Sequence, residues 1–181
     1  MSAFRSRVPT SRSITAIESG AHLVVDLASR AATAELAARL ATLLRRGDLV
    51  ALEGELGSGK TELARALIRA LAGAPIEVPS PTFTLVQRYE LPDLTVTHAD
   101  LYRIHDPAEL DELGLEEALG EGALLVEWPE RAGTRLPPDR LTVRLHAIDP
   151  RAPERRRAEL EAGPSWQERL AELAAWASAQ S

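Results

Sequence analysis

The 181-residue sequence contains no cysteine, no asparagine and a single lysine, Lys60. Without cysteine the chain has no disulfide, no thiolate nucleophile and no cysteine-ligated zinc site, and its four histidines form no ligand pair at helical spacing. No apolar run reaches the roughly 20 residues that span a bilayer, so we expect a soluble protein without a membrane segment. The lack of cysteine is compatible with the reduced cytoplasm, which is the location we expect. The net charge of −6 argues against nucleic-acid binding through a broadly basic surface.

The single lysine is the most informative of these shortages. All but one of the 21 Lys and Arg residues are arginine. An exposed charge does not have to be lysine, so in an arginine-rich chain the remaining lysine marks a position that arginine cannot fill. Lys60 is therefore the first candidate functional residue.

Hydrophobic patterning predicts one α/β domain. Apolar runs at 49–54 and 123–128 suit buried strands, and leucines at helical spacing predict a helix capped by Ser29 and another over 61–73. Shorter patterns predict further strands at 22–27, 83–90, 94–100, 141–146 and 157–161, a short helix at 107–114, and a C-terminal helix with a capping box of Ser165 and Glu168. This alternation indicates a three-layer sandwich with a mostly parallel central sheet, helices on both faces and antiparallel strands near the edge. We expect residues 1–20 to be a disordered extension and 21–181 to be the domain.

The segment GELGSGKT, residues 54–61, fits the phosphate-binding pattern G-x-x-x-x-G-K-[ST] at every fixed position. It follows a predicted buried strand and opens a predicted helix, so its backbone N–H groups and the helix N-terminus can bind phosphates, as in P-loop NTPases. Lys60 is then expected to reach the β- and γ-phosphates and Thr61 to offer its hydroxyl to Mg²⁺. The predicted nucleotide-binding residues of the loop are Glu55, Leu56, Gly57, Ser58, Gly59, Lys60 and Thr61.

A P-loop enzyme also needs a carboxylate at the end of a neighbouring strand, and Asp100 and Glu127 both occupy such positions. We expect Glu127 to ligate Mg²⁺ and Asp100 to orient a water molecule, although the sequence leaves their order open. Thr82 lies where nucleotide switches place a loop that senses the γ-phosphate, but the same segment also reads as a turn before a strand. Trp128 either shields the site or belongs to the core, and His98 is interpreted as structural.

The nucleotide and reaction class follow partly from what is missing. Guanine recognition in GTPases needs an [NT]-K-x-D motif, which a chain with its only lysine in the P-loop cannot contain, so ATP is the expected nucleotide. A small ATPase remains, with two alternatives. One is a small-molecule kinase that passes the γ-phosphate to an acceptor other than water, with residues 155–157 (RRR) as an arginine-bearing lid. The other is a nucleotide-dependent binding module that does not hydrolyse ATP.

Five segments, in this order and spacing, resemble the TsaE (YjeE) family of bacterial P-loop ATPases: GELGSGKT (54–61), PSPTFTLVQRY (79–89), HADLYRI (98–104), ELGLEEAL (112–119) and LVEWPER (125–131). The resemblance covers about residues 28–146. It implies an ATP hydrolase, weak alone, that supports the TsaB–TsaD complex in forming N6-threonylcarbamoyladenosine next to the anticodon of tRNAs reading codons that start with A, with tRNA contacted indirectly.

The resemblance also implies roles for individual residues. Lys60 and Thr61 are the P-loop pair, Glu127 is the Mg²⁺ ligand, and Asp100 is catalytic. The resemblance further places Thr82 and Trp128 in the switch and active-site region, and Thr33, on the first helix, near the nucleotide base.

Overall fold

The structure is a computed structural model that describes residues 14–16 and 21–179. The extension expected to be disordered, residues 1–20, therefore lies outside the described residues except for 14–16, which form a short strand.

The described residues contain strands β1 (Ile14–Ala16), β2 (His22–Leu27), β3 (Leu49–Glu53), β4 (Val86–Glu90), β5 (Thr95–Asp100), β6 (Ala123–Glu127), β7 (Leu141–Ala147) and β8 (Arg156–Ala162). The α-helices are α1 (Arg30–Leu43), α2 (Lys60–Ala72), α3 (Leu115–Glu121) and α4 (Gln167–Ser178). Short 3₁₀ turns cover Pro107–Glu112, Pro129–Ala132 and Pro164–Trp166.

The strands form one sheet in the order β1-β2-β8-β7-β3-β6-β5-β4. The four central strands β7, β3, β6 and β5 run parallel, and the pairings on both sides of them are antiparallel. The predicted α/β sandwich and the β7–β8 hairpin are confirmed, with antiparallel strands at both edges of the sheet. Because β3 lies among parallel strands, its carboxyl end shares one edge of the sheet with the ends of β5, β6 and β7.

Helices cover both faces of the sheet, but unequally. Helices α1, α2 and α4 lie over the face that carries Val50 and Leu52 of β3, and together they form the larger core. Helix α3 and two of the 3₁₀ turns cover the opposite face, which carries Leu49 and Leu124. Each large apolar side chain buried in these layers contributes roughly 1.5–3 kcal/mol. No helix in the part of the chain that the structure describes is both long enough and apolar enough to cross a membrane.

Local structure agrees with the sequence patterns at some boundaries and departs from them at others. Ser29 caps α1 as predicted, accepting a hydrogen bond from the Ala32 amide. The capping box of Ser165 and Glu168 is wrong: α4 begins after a 3₁₀ turn and has no side-chain cap, while the Ser165 amide donates to the Asp139 carboxylate. Helix α3 was not predicted, because its seven residues are too short for a clear helical period.

The strand predicted over 83–90 begins only at Val86. Leu85 adopts a left-handed backbone conformation with a φ of 64°, and its amide closes a turn on the Pro81 carbonyl at 2.7 Å. The segment before β4 is therefore a compact turn rather than extended chain. This turn brings Thr82 against the end of β5.

Candidate nucleotide site

The loop between β3 and α2 can only be built with glycine at its two ends. Gly54 has a φ of 137°, and a Cβ atom there would lie 2.5 Å from the Leu145 carbonyl oxygen. Gly59 has a φ of 103° and is the N-cap of α2. Both residues therefore need the backbone freedom of glycine, and the N–H groups at the start of α2 remain available to an anion.

Lys60 is folded back over this loop and is only 4% exposed. Its Nζ donates to the carbonyl oxygens of Gly54 at 2.6 Å and Glu55 at 2.9 Å, and lies 3.4 Å from Ser58 Oγ. Burial lowers the pKa of Lys60, while the negative charges of nearby carboxylates, foremost Glu127, act to raise it. The hydrogen-bond partners of the ammonium group are thus neutral oxygens, so its charge is available to a phosphate.

Glu127 stands at the end of β6 and is 2% exposed. Thr61 Oγ1 donates to its Oε2 at 2.8 Å, and His98 Nε2 lies 2.8 Å from its Oε1. Each carboxylate oxygen therefore has its own partner, which fixes the orientation of the group. The His98 ring is fully buried, and its Nδ1 has no hydrogen-bond partner among the described residues.

Asp100 lies beside Glu127 because the parallel pairing of β5 and β6 aligns these two residues. Its Oδ1 accepts from the Tyr102 amide at 2.9 Å, and its Oδ2 accepts from Thr82 Oγ1 at 3.2 Å. Thr82 is linked in turn to Ser80 through their hydroxyl oxygens, 2.7 Å apart. The turn that delays the start of β4 to Val86 is therefore what connects Thr82 to the Asp100 carboxylate.

The Trp128 side chain also lines the site, next to Lys60. It is one of two non-glycine residues in the described chain with a positive φ, at 58°, and this conformation is costly for a residue with a side chain. Its ring lies 4.0 Å from Lys60 Nζ and 4.9 Å from the Tyr102 ring. The strained backbone thus holds an aromatic face against the buried ammonium group, where a cation–π contact is favourable.

These side chains converge on one cavity of about 360 Å³. Of the residues predicted from the sequence, the cavity is lined by Leu56, Gly57, Gly59, Lys60, Thr61, Thr82, Asp100, Glu127 and Trp128. Glu55 and Ser58 line a neighbouring cavity, which Trp128 also lines. Thr33 is buried, with its hydroxyl on the Ser29 carbonyl, and lines a separate groove between α1 and α2.

Two further residues at this site, His98 and Arg156, were not among the predicted site residues. His98 was interpreted as structural, yet it contacts Glu127 directly. Its position two residues before Asp100 on one strand is the signal, since alternate strand residues share a face. Arg156 also lines the cavity, although the sequence analysis gave it only as part of an arginine-bearing lid in the kinase alternative.

The oxygens gathered here suit a magnesium ion. Mg²⁺ takes hard oxygen ligands and usually binds through one or two carboxylates together with substrate phosphates. Thr61 Oγ1 and Glu127 Oε2 are 2.8 Å apart, at the first turn of the helix that would receive the phosphates. Asp100 lies beside Glu127 on the neighbouring strand β5. The donor set therefore fits the ion.

Comparison with known proteins gives a consistent assignment. The family described as threonylcarbamoyl adenosine biosynthesis protein TsaE matches residues 27–157. The tRNA threonylcarbamoyladenosine biosynthesis protein TsaE of Rickettsia conorii is 42% identical over 123 residues, which cover 68% of this chain and 70% of that protein. The protein of the same name from Aquifex aeolicus is 44% identical over 108 residues, covering 59% and 77%.

A solved structure shares the fold of this chain. The crystal structure of Bacillus subtilis YdiB superposes with a TM-score of 0.69 at 27% identity, over 91% of this chain and 97% of that one. The fold is that of a P-loop NTPase, and the resemblance read from the five sequence segments is confirmed. The chain belongs to the TsaE family of threonylcarbamoyl adenosine biosynthesis proteins.

Proposed function

We propose that this chain binds ATP with Mg²⁺ and hydrolyses it, and that the hydrolysis supports the TsaB–TsaD complex in forming N6-threonylcarbamoyladenosine next to the anticodon of tRNAs. One observation carries the enzymatic part of this proposal. The ammonium of Lys60, the hydroxyl of Thr61 and the carboxylates of Asp100 and Glu127 all face one cavity at the N-terminus of α2. Family membership supports the tRNA-modification part.

The residues divide the work between binding and chemistry. The loop amides and Lys60 bind the phosphate oxygens and stabilise the negative charge that builds up on them during transfer. Thr61 and Glu127 would hold the Mg²⁺ ion, which supplies further charge neutralisation on the phosphates. His98 contacts Oε1 of Glu127 and Thr61 donates to Oε2, so Oε2 is the carboxylate oxygen that lies beside the Thr61 hydroxyl for this purpose.

Asp100 is the proposed base. It is buried and both of its oxygens accept hydrogen bonds, so it is positioned to orient a water molecule and accept its proton. The water oxygen bonds to the γ-phosphorus while the bond from that phosphorus to the bridging oxygen breaks, and ADP leaves with the electron pair. Thr82, hydrogen-bonded to Asp100, would fix the carboxylate when the γ-phosphate is present.

The kinase alternative loses its main structural argument. Arg156 and Arg157 belong to β8 and Arg155 immediately precedes it, so the three arginines are part of the sheet region rather than a lid. A phosphorylated acceptor molecule in place of free phosphate would nevertheless support the kinase.

The direct test is phosphate release from ATP by the purified chain, alone and with TsaB–TsaD. We expect weak release alone, stimulation by the complex, and a fall of about a hundredfold or more in the Asp100→Asn variant, because a positioned base contributes 10²–10⁴-fold. Exposed Asp93 is the matched control, and Asp93→Asn should behave as wild type. Wild-type turnover in Asp100→Asn would refute the proposed base, and ATP left intact under all conditions would refute the hydrolase.

A further inference from the structure

Three consecutive arginines, residues 155–157, lie at the start of strand β8, and their side chains lie in different surroundings. Arg155 precedes the strand and is exposed, while Arg157 pairs with the Asp26 carboxylate through two contacts of 2.7 and 3.1 Å. Arg156 lies on the face opposite to Arg157, in the same row as buried Ala158 and Leu160. Arg156 is therefore the first residue in the core-facing row of β8, and it lies at the edge of the sheet where the P-loop lies.

The guanidinium of Arg156 lies directly against the P-loop. Its Nη2 donates to the Gly57 carbonyl at 3.2 Å, and its Nε is 3.2 Å from the position that a Cβ of Gly59 would take. The Nε atom is buried and has no hydrogen-bond partner among the described residues. The structure records no ion pair for Arg156 within those residues, so a buried donor and a full positive charge both remain without a partner of opposite charge.

The sheet order shows which part of a nucleotide this group can reach. Asp100 and Glu127 lie on β5 and β6, on one side of the P-loop strand, whereas Arg156 lies on β8, on the other side. All three line the same cavity. The phosphate that is transferred must lie near the carboxylates and the proposed Mg²⁺ position, so Arg156 faces the phosphates that stay with the nucleotide.

We propose that Arg156 is a nucleotide-binding residue that contacts the phosphates common to ATP and ADP, acting as a second cation beside Lys60. This inference rests on the proposed nucleotide site. A guanidinium suits the role because it presents several N–H donors in a plane that matches phosphate oxygens. Arg156 thus contributes to holding both substrate and product, and is distinct from an arginine that acts only on the γ-phosphate.

The test is a comparison of nucleotide affinities by isothermal titration calorimetry, using ADP and a non-hydrolysable ATP analogue. We expect Arg156→Gln to weaken both ligands by a similar factor of about ten or more, because each lost charge-assisted hydrogen bond has an effect of this size. Arg155→Gln is the matched control and should bind as wild type. Thermal unfolding of each variant confirms that the fold is intact.

The outcomes separate this inference from the proposed function. Wild-type protein that binds neither nucleotide would refute the nucleotide site as a whole. Wild-type protein that binds both, together with an unchanged ADP affinity in Arg156→Gln, would overturn only the role of Arg156. A loss confined to the ATP analogue would also overturn it, because that pattern places the guanidinium at the γ-phosphate.

Discussion

Replacing Lys60 with arginine tests most sharply why this chain has kept one lysine. Lys60 is 4% exposed, and its Nζ lies within 2.9 Å of two carbonyl oxygens and 4.0 Å from the Trp128 ring. A guanidinium is larger and planar, and it would have to displace the loop or the ring. The substitution keeps the positive charge, so any loss reports on shape rather than on charge.

The expected size of the effect follows from this crowding. Inserting extra atoms at a packed position costs about 1–3 kcal/mol. If that cost falls on the nucleotide-bound loop, ATP affinity falls by a factor of roughly 5 to 150. Hydrolysis should fall further, because a displaced cation no longer lies where charge develops on the transferred phosphate.

The assay is phosphate release and nucleotide binding by Lys60→Arg, beside Lys60→Ala. Arg69→Lys is the matched control, since it makes the reverse exchange on the exposed side of the same helix, where the Arg69 side chain contacts the Ile76 carbonyl. We expect both Lys60 variants to lose turnover and the control to keep it. Wild-type turnover in Lys60→Arg would refute the claim that the site requires a compact ammonium.

Three further predictions concern buried polar side chains. Glu127→Gln should weaken Mg²⁺-dependent nucleotide binding while Mg²⁺-free binding changes little; equal effects with and without Mg²⁺ would contradict its role as ligand. His98→Leu should weaken the same Mg²⁺-dependent binding, and His98→Gln should restore part of it, because the amide can again donate to Glu127; two equally impaired variants would argue for packing alone. Arg169→Met should lower the free energy of unfolding by about 3–5 kcal/mol in urea titrations, because it leaves buried Asp48 without its ion-pair partner; a loss below about 1 kcal/mol would contradict this.

Much of the site could be predicted because its chemistry is local in sequence. The P-loop residues are contiguous, and a strand followed by glycines and a helix needs no long-range information to be recognised. Asp100 and Glu127 could be placed together because the carboxyl ends of parallel strands meet at one edge. The types of the longer elements followed from hydrophobic period in the same way.

The remaining features depend on contacts between distant segments. The turn at Leu85 and the position of Thr82 follow from how the chain before β4 packs against the end of β5. Arg156 reaches the P-loop only because β8 pairs with β7, and period alone does not say which strand lies beside which. His98 shares a face with Asp100, a signal that was present in the sequence but that also suits an ordinary core residue.

The central claim is that ATP hydrolysis at this site supports the formation of N6-threonylcarbamoyladenosine. Its most direct test is to deplete the protein in the cells that encode it, re-express either wild-type or Lys60→Ala protein, and measure the modified nucleoside in total tRNA by mass spectrometry. We predict that depletion lowers the nucleoside, that wild type restores it and that Lys60→Ala does not. Unchanged modification after depletion, or full rescue by Lys60→Ala, would contradict the account.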